Sequence, residues 1–201
     1  HGGNVPKLAG KRIVMLIDFQ FEDLEVMYPK MRLEEEGATI VVCGSHDPRT
    51  KYTGKYGYPL LSNEQIDAAW IGCYQCGVAM EKIDAVIVPG GFAPDYMRRN
   101  QWMLDLVVFA CERNIPVAAI CHGPWLLCSA RPTEGGPPVL SGRRATCFSA
   151  IKDDVINAGA TYVDDPVVVD GNLITSRTPA DLILFVQTII TEVLMRNSSG
   201  S

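Results

Sequence analysis

Apolar runs that alternate with helix-like segments are the feature that most restricts the fold of this chain. Buried-strand runs occur at residues 11–18, 38–43, 85–88 and 117–120, and helix-like segments separate most of them. Strands that are apolar without alternation are typical of a parallel sheet with helices on both faces. The sequence therefore predicts an α/β fold, in which sites lie at the carboxyl ends of the strands.

An amphipathic helix is predicted after the first strand, beginning at Asp23. Its apolar residues recur at the i, i+3, i+4 and i+7 spacing of a helix face, and they are Leu24, Met27, Tyr28 and Met31. The charged residues that follow, and then Gly37, predict where this helix ends.

The remaining patterns complete one domain. Residues 51–61 predict a hairpin or a strand pair, and the Pro/Gly-rich residues 131–139 predict a surface loop. Further helices are expected at 102–113, from 123 to about 130, at 151–158 and from Pro179, and further strands at 144–148, 161–163 and 167–175. No repeat or long linker divides the chain, so we expect a single domain over 1–201, with a core at about 11–193 and flexible ends.

Charge and cysteine content limit the partners and the compartment. The net charge is −5 and no dense basic block is present, which disfavours nucleic acid and anionic membrane surfaces as partners. No apolar stretch reaches the roughly 20 residues of a membrane helix, and the start lacks the apolar core of a signal peptide. The seven cysteines are odd in number and several lie in apolar runs, so we expect free thiols in the cytoplasm.

The strongest candidate for chemistry is Cys121, where the run 117–120 meets a predicted helix. The first N–H groups of that helix should favour the thiolate, which is the nucleophilic form. Gly123 leaves the turn uncrowded, as in a nucleophile elbow, and Pro124 suits the first helical turn. A structural cysteine beside a capping histidine is the alternative. We favour catalysis, and we expect Cys121 to be the most reactive thiol.

His122 is the leading candidate for a general base or acid at this cysteine. The other two histidines, His1 and His46, both lie upstream, and no histidine follows His122. Enzymes whose catalytic histidine lies far downstream of the cysteine are therefore disfavoured.

Carboxylates and glycines occupy two other predicted strand ends. Glu22 and Glu25 crowd the loop after the first strand, where acidic residues often only complement the helix dipole. A carboxyl close to a thiolate would have a raised pKa and could carry protons. The amides of Gly90 and Gly91 could form an oxyanion hole, and an ordinary tight turn is an equal alternative.

The Cys73-x-x-Cys76 pair gives no functional prediction. Zinc requires four ligands, and neither a second cysteine pair nor a histidine lies nearby in sequence. A thioredoxin-like role would place the motif at the start of a helix after a strand, which is not evident. No metal site is predicted.

Taken together, these segments resemble the ThiJ/PfpI superfamily, and most closely its PfpI branch of intracellular cysteine hydrolases. The matching segments follow the family order over about residues 11–193, and they are FEDLEVMYP, TGKYGY, VIVPGGFAPD, VAAICHGPWLL, IKDDVINAGA and VVVDGNLITSRTPADL. The resemblance implies a flavodoxin-like three-layer sandwich of the class I glutamine amidotransferase-like kind, without a cofactor.

The resemblance also implies roles for individual residues. The nucleophile corresponds to Cys121 with His122 beside it, the glutamate that contacts the cysteine to Glu25, and the oxyanion amides to the Gly90–Gly91 turn and the residue after the cysteine. A third acidic residue, a glutamate supplied by a neighbouring subunit, corresponds to Asp95 here, and aspartate reaches about 1.5 Å less. We therefore expect self-association into a dimer or hexamer.

Other positions distinguish this chain from the family pattern. The segment 67–80 is longer than expected, and the loop 131–139 is a further departure. Trp125 beside the cysteine indicates a tailored pocket, and Glu22 is a candidate for substrate binding.

Members of the resembled family have been assigned peptidase, cofactor-free glyoxalase and deglycase activities. All of them require a thiolate that attacks a carbonyl, together with proton transfer by a carboxyl or a histidine. We expect Cys121 to add to a 2-oxoaldehyde such as methylglyoxal, Glu25 or His122 to move the proton, and a hydroxy acid to be released. Hydrolysis of short peptides is the alternative, and a redox sensor or chaperone in which Cys121 is oxidised is the second.

Overall fold

Seven strands form the central sheet of the computed structural model, which describes residues 5–198. The strands are β1 (Arg12–Leu16), β2 (Thr39–Gly44), β3 (Lys51–Thr53), β4 (Pro59–Leu61), β5 (Glu64–Gln65), β6 (Ala85–Val88), β7 (Val117–Ile120), β8 (Arg144–Ala145), β9 (Thr161–Tyr162), β10 (Val167–Asp170) and β11 (Leu173–Ser176). The helices are α1 (Asp23–Glu35), α2 (Ala68–Gln75), α3 (Ala93–Met97), α4 (Gln101–Glu112), α5 (Trp125–Ser129), α6 (Lys152–Asn157) and α7 (Leu182–Ser198). Short 3₁₀ turns lie at Ser149–Ile151 and Pro179–Asp181.

The sheet is mostly parallel, as predicted. Its order is β10-β11-β7-β6-β1-β2-β5, and the β10–β11 pair alone is antiparallel among the strand pairs of this sheet. Every residue of β6 and β7 is buried, because helices cover both faces of the sheet centre. Outside this sheet, β3 and β4 form the predicted hairpin and β8 pairs with β9.

The direction of the chain reverses between β1 and β6, and this reversal positions the site. From β1 the chain crosses to β2 on one side, whereas from β6 it crosses to β7 on the other. Because such crossovers are right-handed, α1 and α4 lie on opposite faces of the sheet. Accordingly, α1 packs against α7 and α4 against α2. Ligands bind at such a reversal, beyond the carboxyl ends of the strands.

The predicted apolar face of α1 is wrong at its two ends, whereas Met27 and Tyr28 pack partly buried against the core. Leu24 and Met31 are 57% and 59% exposed, whereas the buried residues of the helix include Glu25, Val26 and Leu33. Both sets recur at helical spacing, so periodicity alone does not select between them. Packing against β2 and α7 turns the second set inward, and it thereby places the Glu25 carboxyl inside the protein.

Two predicted strands also differ from the structure. The strand expected at 144–148 is limited to Arg144–Ala145. The strand expected at 167–175 is two antiparallel strands, because the chain turns at Gly171, whose φ is +56°. The predictions for the chain ends fall on residues 1–4 and 199–201, outside the described residues. Within 5–198, no helix has the length and apolar character needed to cross a membrane.

Candidate active site

Cys121 lies on a strained turn directly after β7. Its φ is +63°, in the left-handed region, and a residue other than glycine is strained there by about 1–3 kcal/mol. Two backbone hydrogen bonds hold the turn, since the Cys121 N–H donates to Ser176 O at 3.0 Å and the Gly123 N–H donates to Ile120 O at 2.8 Å. The turn presents the thiol at the end of the sheet, as a nucleophile elbow does.

Two glycines allow the backbone to approach closely at this turn. A Cβ at Gly123 would lie 2.4 Å from the carbonyl oxygen of Val88. A Cβ at Gly90 would lie 2.5 Å from Glu25 Oε1 and 2.8 Å from Cys121 Cβ. All three distances are shorter than van der Waals contact, so each position requires glycine for space.

Glu25 is fully buried on α1, and its Oε1 accepts a hydrogen bond of 2.9 Å from the Gly90 N–H. Burial raises the pKa of Glu25 to about 8, and the carboxyl also interacts with the Cys121 thiol. Within residues 5–198, Oε2 has no hydrogen-bond partner by distance and angle. The raised pKa agrees with the expectation for a carboxyl next to the cysteine, and it makes the protonated form the main one at neutral pH.

The prediction that the helix N-terminus would favour the Cys121 thiolate is wrong for the resting site. Burial raises the pKa of Cys121 to about 12, and the charge of Glu25 acts in the same direction. The backbone N–H groups of His122 and Gly91 act in the opposite direction. The helix that follows, α5, has five residues and begins four positions after the cysteine, so burial exceeds its dipole. The thiol is the resting form.

His122 can accept the proton of this thiol. Its Nδ1 lies 3.3 Å from Cys121 Sγ, and its ring stacks on Phe148 with the centroids 5.0 Å apart. Burial lowers the pKa of His122, and Lys55 adds to the decrease. The imidazole is therefore neutral at pH 7, which is the form that acts as a base.

An ion pair between a buried glutamate and a partly exposed lysine forms another wall of the site. Glu22 is 6% exposed, and its Oε2 lies 2.6 Å from Nζ of Lys55. Lys55 comes from the β3–β4 hairpin, and sequence reasoning did not assign it a role. The available signal was its position in the TGKYGY segment, but a lysine in a hairpin turn is usually solvent-exposed.

A cavity of about 370 Å³ opens in front of Cys121. Its lining combines polar and aromatic side chains, and it consists of Glu22, Lys55, Gly91, Phe92, Asp95, Cys121, His122, Trp125, Phe148, Thr178 and Pro179. The structure thus brings together most of the predicted site residues, with Glu25 and Gly90 adjoining Cys121 outside this lining. Trp125 is fixed by a hydrogen bond of 2.9 Å from its Nε1 to Asp154 Oδ2.

Asp95 lies at the exposed edge of this cavity, in the first turn of α3. Its side chain is 62% exposed and its Oδ2 pairs with Arg99 Nη2 at 3.1 Å. The carboxylate is thus oriented by its own helix in the described chain.

A larger cavity, of about 720 Å³, lies at the carboxyl ends of β1 and β2. It is lined by residues that include Asp18, His46 and Trp102, and none of its lining residues is a cysteine. We place the chemistry in the smaller cavity, because the thiol, His122 and the neighbouring carboxyl of Glu25 meet there. No cluster of three or more potential metal ligands occurs in residues 5–198. Cys73 and Cys76 are exposed at the end of α2.

This sheet order defines the flavodoxin-like, class I glutamine amidotransferase-like fold, with a cysteine turn at the strand reversal. The sequence model of the DJ-1/PfpI family matches residues 11–192 of this chain. The chain belongs to the DJ-1/PfpI family, which confirms the predicted resemblance.

Known relatives agree with this assignment. The chain is 40% identical over 179 residues to a protein named deglycase from Pyrococcus abyssi, covering 89% of this chain and 97% of that one. It is 36% identical over 179 residues to deglycase PfpI of Pyrococcus furiosus, with the same coverage.

A solved structure from Anabaena variabilis combines a DJ-1/ThiJ/PfpI-like domain with a ferritin-like domain. It matches with 39% identity and a TM-score of 0.80, over 91% of this chain and 48% of that one. The chain therefore spans about half of that two-domain protein.

Proposed function

We propose that the protein is a cofactor-free enzyme of the deglycase type, which acts at Cys121 on small adducts of 2-oxoaldehydes. The observation that carries this proposal is the group of Cys121, Glu25 and His122. A thiol and a neutral imidazole line one cavity, and a buried carboxyl with a pKa of about 8 adjoins the thiol. The relatives named deglycase support the same assignment.

The first step is formation of the thiolate. His122 takes the thiol proton across the 3.3 Å contact. Because Glu25 is protonated at neutral pH, it places no negative charge beside the sulfur at this moment. The adduct loses its amine or thiol, which takes the hydroxyl proton, and an aldehyde carbonyl forms. The sulfur adds to this carbonyl carbon, and His122 returns the thiol proton to the oxygen. The enzyme now holds a hemithioacetal of the 2-oxoaldehyde on Cys121.

The second step moves a proton between two carbons. His122, which is neutral again, removes the proton from the carbon bound to sulfur, while the protonated Glu25 gives its proton to the neighbouring carbonyl oxygen, and an enediol forms. His122 then returns the proton to that neighbouring carbon, and Glu25 regains a proton from the hydroxyl of the carbon bound to sulfur, which gives a hydroxyacyl thioester. Water hydrolyses the thioester, so that methylglyoxal plus water yields lactate and the free thiol. The N–H groups of Gly91 and His122 interact with the sulfur, so they lie next to the position of the developing oxyanion.

Turnover of methylglyoxal by the Cys121→Ala variant tests the proposal. Lactate formation should fall to background in Cys121→Ala and stay within about threefold of wild type in Cys128→Ala, whose cysteine is equally buried at 8% but lies outside the cavity. Hydrolysis of a chromogenic peptide without lactate formation would replace the proposal with peptidase activity. No turnover of either compound, with ready oxidation of Cys121 by peroxide, would favour the non-enzymatic redox alternative.

A further inference from the structure

The β3–β4 hairpin contributes one side chain to the Cys121 cavity within the described residues, that of Lys55. Its backbone position is fixed, because the Lys55 N–H donates to Phe21 O at 2.9 Å. The next residue is also fixed, since the Tyr56 N–H donates to Asp23 Oδ2 at 2.9 Å. The hairpin is thus bound to the loop that carries Glu22, and it holds one lysine at the site.

The ammonium of Lys55 retains donors for a ligand. It lies 2.6 Å from Glu22 Oε2, and the Lys55 side chain is 30% exposed while that of Glu22 is 8% exposed. The ammonium also lies 5.2 Å from the centroid of the Tyr56 ring. It has three N–H donors, so these two contacts leave a donor for a ligand. The Lys55 charge also lowers the pKa of Cys121, Glu25 and His122. It therefore acts directly on the reacting groups.

The other walls of the cavity give Lys55 a distinct role. Phe92, Trp125, Phe148 and Pro179 provide apolar surface, and no other lysine or arginine is among the lining residues. An anionic group that enters this cavity therefore has one cation to bind. Glu22 keeps that cation in place, and the Lys55 side chain lines the cavity while remaining 30% exposed.

We propose that Lys55 binds a carboxylate of the substrate, so that the enzyme prefers 2-oxoaldehyde adducts of amino acids and other acids over neutral adducts. This inference rests on the proposed deglycase function and adds the substrate class. It makes Lys55 a specificity-determining residue, whose removal weakens the binding of anionic adducts more than that of neutral ones.

Two adducts of methylglyoxal test the preference. The hemithioacetal of N-acetylcysteine carries a carboxylate, whereas that of N-acetylcysteamine has the same thiol chemistry without one. Wild type should show the higher kcat/KM for the first, and Lys55→Met should reduce the ratio of the two values about tenfold, mainly through KM, as expected for a hydrogen bond to a charged group. Lys55→Arg should keep most of the preference. Lys51→Met, which removes an exposed charge from the same hairpin, should leave the ratio unchanged.

The outcomes separate this inference from the proposed function. If Lys55→Met leaves the ratio of the two kcat/KM values unchanged, even with an equal loss of kcat/KM for both adducts, the inference is overturned. The proposed function is still supported in that case, provided that lactate is formed. A binding measurement needs no turnover. In a Cys121→Ala background, calorimetry with the S-lactoyl derivative of N-acetylcysteine should show a Kd about tenfold higher when Lys55→Met is added, and the derivative of N-acetylcysteamine should show no such change. Equal Kd values for the first derivative would overturn the inference even if the enzyme proves not to be a deglycase.

Discussion

The N–H of Gly90 donates a hydrogen bond of 2.9 Å to Glu25 Oε1 and so holds this buried carboxyl beside Cys121. The two residues are 65 positions apart in the chain, and they meet because β1 and β6 are neighbours in the sheet. Gly90 thus has two functions in the site, since it donates this bond and leaves the space in which Glu25 and Cys121 meet.

Gly90→Ala should abolish most of the activity. The added methyl group would lie 2.5 Å from Glu25 Oε1 and must displace it, so we expect kcat/KM for methylglyoxal to fall about 100-fold or more. Gly72→Ala is the matched control, because nothing lies within 4 Å of its Cβ position in α2. That variant should keep its activity and gain up to about 1 kcal/mol in the free energy of unfolding. Wild-type kinetics in Gly90→Ala would show that the contact with Glu25 is not needed.

Glu25→Gln should separate proton transfer from reactivity of the thiol. The amide fills the same space but cannot carry a proton, so lactate formation should fall about 10²- to 10⁴-fold. Peroxide should still oxidise Cys121, as mass spectrometry of the intact protein would show. Glu35→Gln, at the exposed end of α1, should have normal turnover. Normal turnover in Glu25→Gln would limit Glu25 to a structural role.

The stability of the protein should depend on the ionisation of Glu25. Its pKa is about 8 in the folded protein and about 4.5 in the unfolded chain, so between these values the folded state binds more protons. The contribution of Glu25 to the free energy of unfolding should therefore be complete below about pH 4.5. As the pH rises towards 8, the free energy of unfolding should decrease by up to about 1.4 kcal/mol per pH unit. Urea unfolding of wild type and Glu25→Gln at pH 5, 6.5 and 8 measures the difference. Parallel curves would contradict the raised pKa.

The order of thiol modification should differ from the order expected from sequence. Cys73 and Cys76 are exposed, whereas Cys121 is buried and its thiol pKa is raised. Brief treatment with iodoacetamide near neutral pH should therefore label the exposed pair first, in contrast to the expectation from sequence that Cys121 is labelled first. After Cys73→Ser and Cys76→Ser, peptide mapping should find Cys121 labelled before Cys43, because Cys121 is reached through the cavity. Earlier labelling of Cys43 would contradict an open site.

We also propose that Asp95 acts across a subunit interface in a dimer or hexamer. Cys121→Ala and Asp95→Ala should each be inactive alone, and hybrid oligomers formed by co-refolding should regain activity, because some sites then contain both groups. A mixture of Cys121→Ala and Glu25→Gln is the control. Those two residues adjoin each other within one chain, so no hybrid site is complete. Lack of recovery in the first mixture would assign Asp95 to its own chain, and full activity of Asp95→Ala alone would remove it from the mechanism.

The sequence by itself determined the elements that are buried on both faces or that contain a turn signal. The strands β6 and β7 were predicted with their observed bounds, because a run of four apolar residues that ends at a turn signal is too short for a typical helix and is typical of a buried strand. The Cys121 turn, the hairpin and the start of α1 at Asp23 followed from local chemistry in the same way, and the family resemblance supplied Glu25.

The tertiary structure alone decided which face of α1 is buried, how the thiol ionises and which charged group reaches the cavity. Leu24 and Glu25 are adjacent in sequence, yet the glutamate is the buried one, because packing against the sheet and α7 fixes the rotation of the helix. The pKa of Cys121 depends on burial and on a carboxyl 96 positions away in sequence. Lys55 reaches the site only because its hairpin is bound to the loop at Phe21. Each of these properties is set by groups that are distant in sequence, so local sequence patterns do not predict them.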